Sequence, residues 1–125
     1  MRSLTSSVLK WPTHSEVDAA ARRWALSEAA RHPEVQRIGY FGSYARGDWG
    51  VGSDLDLIAI VDTASEAFPD RPLSWSLTPL LIPAQILIYT RAEWQRLQGQ
   101  GSRFARDLKH DTVWIYVRRA PAPRL

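Results

Sequence analysis

The chain of 125 residues is 45% hydrophobic, enough for one domain, residues 1–125, with a real core. Its formal charge of +3 and pI of about 9.7 come from basic residues that are mostly arginine and scattered along the chain, so direct nucleic-acid binding is not expected. With no cysteine, no apolar run long enough for a bilayer and no signal-peptide core in MRSLTSSVLKWPTHSE, disulfide scaffolds, zinc–thiolate sites, cysteine catalysis and membrane residence drop out, and a cytoplasmic protein is expected.

Residues 1–14 show no period and read as a loosely ordered arm. Ser15-x-x-Asp18 reads as a capping box that opens a helix. Val17, Ala21, Trp24 and Ala25 then follow helical spacing, with Arg22, Arg23 and Glu28 assigned to other faces, until Pro33 stops the helix. VQRIGYF, 35–41, predicts a first strand, and GSYARGDWGVGS a turn, a short helix and a glycine-rich loop. A second strand follows over 54–61. In the proline-rich stretch 63–83, Leu73, Leu77, Leu80 and Leu81 predict a short helix behind Pro72, against which Pro79 counts. AQILIY, 84–89, predicts a third strand. Thr90-x-x-Glu93 caps a helix ended by Gly99, Ser102 opens another through Lys109, and VWIYV, 113–117, makes a last strand. The tail from Arg118 to Leu125, with Arg118, Arg119 and Arg124, reads as frayed and solvated. Strands separated by helices predict one α/β or α+β domain.

The chemistry concentrates in YFGSYARGDWGVGSDLDLIAIV. On a strand, residues i and i+2 share a face about 6.6 Å apart. Asp54 and Asp56 therefore project together at the mouth of an apolar strand, where unpaired charge is costly. Magnesium takes one or two carboxylates plus substrate phosphates, so the pair is a suitable metal platform. Gly42 can turn sharply and let a ligand approach the backbone. Ser43 adds a hydroxyl where a helix begins, and helix starts present N–H groups to phosphate. The stretch thus predicts a phosphate cradle facing a metal platform, without the lysine of a P-loop. A lone Asp-x-Asp would more often be a solvated strand start; its combination with Gly42-Ser43, ten residues lying between that pair and Asp54, is far more specific.

GSYARGDWGVGSDLDL closely resembles the signature of minimal nucleotidyltransferases of the DNA polymerase β-like superfamily, matching at Gly42, Ser43, Ala45, Arg46, Gly47, Ser53, Asp54, Asp56 and Leu57. The resemblance implies a small mixed sheet flanked by helices. It also implies transfer of AMP, or another nucleoside monophosphate, from ATP or another NTP to a hydroxyl, with two Mg2+ ions. By position, Asp54 and Asp56 would be the catalytic metal ligands, and Gly42 and Ser43 would hold the β- and γ-phosphates. Arg46 would contact the triphosphate or pair with an acid, and Ser53 would shape the approach to the strand.

The resemblance departs at the third strand, where Gln85 stands at the position of the family's third carboxylate. Glutamine is neutral and cannot serve as a base, so one metal site is expected to be weakened. Asp62 shares strand parity with Asp56 but lies about 20 Å further along. Stand-alone chains of this size resemble the antitoxin half of toxin–antitoxin modules, whose partner is a helical HEPN-type ribonuclease. The alternative is a catalytically degenerate module that binds nucleotide and masks a partner; self-association stays open. His14, His32 and His110 lack ligand spacing and suit surface or helix-end roles. Trp24 and Trp94 fit core faces, whereas Trp49 and Trp75 either form an exposed apolar patch or close over the protein's own core.

Overall fold

The central strand explains the architecture. In the computed structural model, which describes residues 10–119, LDLIAIV forms a strand with almost no accessible side chain. This strand, Leu55–Val61, is β2; Val35–Phe41 is β1, Ala84–Thr90 is β3 and Val113–Val117 is β4. The sheet order is β3-β2-β1-β4. β1 pairs antiparallel with β2 and β4, while β2 pairs parallel with β3. A strand covered on both faces must read as a continuous apolar run, and β2 does. Leu55, Leu57, Ala59 and Val61 enter one core, and Ile58 and Ile60 enter the other.

The first core is closed by helix α1, His14–Arg31, through Val17, Ala21, Trp24 and Ala25. The second is closed by Trp94 of helix α3, Arg91–Gly99, and Leu108 of helix α4, Arg103–Asp111. A four-residue helix, α2, spans Ser43–Arg46. The parallel β2–β3 step needs a long crossover, supplied by residues 62–83 with a three-ten helix at Phe68–Ser74. The α/β class, the mixed sheet and all four strands are thus as the sequence predicts, as are the Thr90–Glu93 capping box and the Ser102 cap.

Several local expectations are corrected. The box that opens α1 is Thr13–Glu16, not Ser15–Asp18: the Thr13 hydroxyl accepts from the Glu16 N–H, and Glu16 accepts from the Thr13 N–H. Asp18 instead accepts from the Tyr40 hydroxyl and from Arg22. Glu28 is buried, because it continues the stripe of Val17, Ala21 and Trp24 by position whatever its polarity. It accepts from Arg31 and from the Ser76 N–H. No α-helix forms behind Pro72, which lies inside the three-ten helix; Leu73 and Leu81 are exposed, while Trp75, Leu80 and Ile82 are buried. Residues 1–9 of the predicted arm and 120–125 of the predicted tail, Arg124 included, lie outside the described residues. Trp11, Pro12 and His14 are partly buried, and the Trp11 indole N–H donates to the Tyr44 hydroxyl. Arg118 is no solvated tail residue but pairs with Asp62 through two hydrogen bonds of 2.7 and 3.0 Å. Trp75 is buried and stacked on His32 at 4.6 Å, and Trp49 stacks on Tyr44 at 5.2 Å, so both close over the core.

The crossover is fastened by Arg71, 8% exposed, which donates to both Glu93 oxygens and to the carbonyls of Ile88 and Glu66. Hydrogen bonds from Arg71, and from the Thr90 cap, hold the Glu93 carboxyl down at about 2. Its stabilisation is therefore complete above the ordinary glutamate range and is lost as pH falls from about 4.5 towards 2. Arg71→Ala strands Glu93 and two carbonyls, and should cost about 3 kcal/mol in urea denaturation at pH 7, with a smaller loss at pH 3.

Candidate active site

The site begins where β1 stops. Gly42 follows Phe41 with φ of +73°, a conformation that side chains rarely adopt. A Cβ there would also overlap the Asp56 carboxylate. Register explains the proximity, since Phe41 pairs with Asp56 across β1 and β2. Gly42→Ala should therefore lower stability by about 1–2 kcal/mol and displace Asp56. A thermal melt and a nucleotide titration would check both effects.

α2 is anchored from behind. Tyr44 is buried, accepts from Trp11, stacks on Trp49, and its carbonyl lies 3.0 Å from the His14 imidazole. The backbone at Ser43 and Gly42 is thereby held in place. The glycine-rich loop returns through a tight turn in which the Gly50 N–H donates to the Ser53 hydroxyl and the Ser53 N–H donates to the Gly50 carbonyl. Ser53 thus shapes the approach to β2, as its position implies.

Asp56 lies on the β2 face that carries Ile58 and Ile60. On its other side β3 places Gln85 directly opposite, and the Gln85 amide donates to Asp56 Oδ1 at 3.3 Å. Asp54 falls just before the strand and is exposed. Burial first, and the charge of Asp54 second, push the Asp56 carboxyl above its ordinary range; the Gln85 hydrogen bond and Arg46 act in the opposite sense. Among the described residues neither Asp54 nor Asp56 has an ion-pair partner within 4.0 Å. Arg46 pairs instead with Asp48 at 3.2 Å.

Gly42, Ser43, Arg46 and Asp56 line one wall of a cavity of about 350 Å³. Helix α4 adds a further wall with Phe104, Asp107 and Asp111. No motif in the sequence marks these two acids. Their i, i+4 spacing around Leu108 was the available signal, because it places both beside a core residue. Phe41 and Phe104 meet edge to face at 6.3 Å and close the apolar end.

Among the described residues no three histidine, aspartate or glutamate side chains are arranged to hold a metal ion. The donors that are present still suit magnesium. A partly buried carboxylate with raised pKa, repelled by a second acid and lacking a cationic partner, is what a divalent ion would stabilise. One or two carboxylates then suffice, the remaining oxygens coming from phosphate and water.

A family described as nucleotidyltransferase domain matches residues 23–116, which include the whole cradle and all four strands except Val117. Among solved structures, the crystal structure of a candidate nucleotidyltransferase from Sulfolobus solfataricus is similar with a TM-score of 0.62 and 21% identity, over 84% of each chain. At that identity the likeness concerns the fold. No curated protein matches the chain.

Proposed function

The chain belongs to the nucleotidyltransferase domain family, and from that premise we propose that it transfers AMP, or another nucleoside monophosphate, from ATP or another NTP to a hydroxyl. One observation carries the reading: the Asp56 carboxylate occupies the space that any side chain at residue 42 would fill. Phosphates resting on Gly42 and Ser43 would lie beside the metal-holding carboxylates. Asp54 and Asp56 would hold Mg2+, and such ions supply charge neutralisation at the triphosphate and the departing pyrophosphate. Arg46, which lines the same cavity, would add a positive charge on the phosphate side. The α4 wall would exclude water and leave the acceptor hydroxyl to approach in line. No covalent intermediate on the protein is required.

The acceptor in this reading is a helical HEPN-type partner, with the chain in the antitoxin role. Support comes from the resemblance of the stretch Gly42–Leu57 to minimal nucleotidyltransferases. A second reading is favoured by Gln85, a neutral donor bonded to Asp56 where an acid would complete the metal site. In it the chain binds nucleotide and masks its partner without turnover.

Incubation with α-labelled ATP, Mg2+ and the product of the neighbouring gene separates the two. Label on the partner, lost in Asp54→Asn, supports transfer. Magnesium-dependent ATP binding without label supports the masking reading.

A further inference from the structure

Another cavity lies on the same face of the sheet, four residues back along β1 from Phe41, or about 13 Å. It holds about 180 Å³ and is lined by Arg37, Trp94, Gln98, Lys109 and Trp114. Its construction starts at Gly39, where a Cβ would lie 2.7 Å from the Val113 carbonyl and 2.9 Å from the Trp114 ring. The missing side chain lets Trp114 lie across β1. The Arg37 guanidinium sits over Trp114 at 4.1 Å and within 5.5 Å of Trp94, and the two indoles meet edge to face at 6.0 Å.

Stacking uses the faces of a guanidinium and leaves its N–H edge free for an oxyanion. Burial lowers the pKa of Arg37, and no acid offsets it. Among the described residues Arg37 and Lys109 have no ion-pair partner within 4.0 Å, although they line one small cavity. Arg37 is partly buried, and partly buried charges are ordinarily paired. The Gln98 amide donates to the Ala105 carbonyl, and being neutral it does not neutralise either cation.

We propose that Arg37 and Lys109 form an oxyanion site over Trp114, taking a carboxylate or a phosphate group. It is separate from the phosphate cradle at Gly42 and independent of the reaction proposed above. The test is a ¹⁵N NMR titration of the full chain with inorganic phosphate and, separately, acetate. The Arg37 side-chain Nε–Hε and Trp114 indole signals should shift saturably. Phosphate alone moving them marks a phosphate ligand, and acetate moving them marks a carboxylate. Arg37→Met should weaken binding about tenfold and Lys109→Gln about threefold. Lys109 is exposed, so its variant preserves the test if Arg37→Met fails to fold. The Gly42 and Ser43 amides report separately on the cradle. If neither anion moves the Arg37 and Trp114 signals, or the shifts survive in both variants, the site does not exist.

Discussion

If the chain transfers nucleotide as proposed, Asp56→Asn should lower the rate by about three orders of magnitude, equivalent to about 4 kcal/mol of lost transition-state stabilisation. The same variant should melt at a higher temperature than the wild type when both are free of metal at pH 7. The sign follows from the raised Asp56 pKa. Its ionisation opposes folding, so this contribution weakens the protein as pH rises from the ordinary aspartate range through the raised value. Asparagine abolishes that dependence while still accepting from Gln85. The gap in melting temperature should close below about pH 4, where the wild-type carboxyl is protonated in both states. Magnesium with nucleotide should reverse the order by stabilising the wild type alone. A metal-free variant that melts lower would make Asp56 a structural residue, and an unchanged rate would remove it from the chemistry.

Gln85→Asp should act in the opposite direction on metal. Gln85 faces Asp56 in register and donates to it. An aspartate there removes a donor and adds a third negative charge to Asp54 and Asp56. The apparent magnesium affinity should rise about tenfold, and transfer at limiting magnesium should rise with it. The metal-free protein should lose thermal stability, most strongly above the carboxylate range, and magnesium should restore it. If wild type transfers nothing and Gln85→Asp does, the masking reading holds and its cause is one side chain. If the magnesium dependence does not move, residue 85 is not part of the metal site.

Much of this was legible in the sequence because the signals were local. The apolar run after Asp56 predicted the strand that becomes β2, and GSYARGDWGVGSDLDL carried the family resemblance that the match over residues 23–116 bears out. Thr90 and Ser102 cap helices because capping depends on the next few residues. What failed depended on distant partners. Two overlapping boxes, Thr13–Glu16 and Ser15–Asp18, compete for one helix start; Asp18 is claimed by Tyr40, 22 residues away. Glu28 sits on the buried stripe because Arg31 and Ser76 satisfy it. Arg118 is drawn to Asp62 across 56 residues. The spacing of Asp107 and Asp111 around Leu108 puts both acids beside a core residue, but that they line the same cavity as Gly42 and Asp56 depends on Leu108 packing against Ile58 and Ile60, distant in the chain.

The central claim is that Gly42, Ser43, Asp54 and Asp56 together hold a metal–nucleotide complex. Calorimetry of ATP binding with and without magnesium, in the wild type and in Asp56→Asn, addresses it most directly. The account predicts saturable binding in the wild type that requires magnesium and is lost in Asp56→Asn. Absence of binding in magnesium, or equal binding with and without it, would contradict the account.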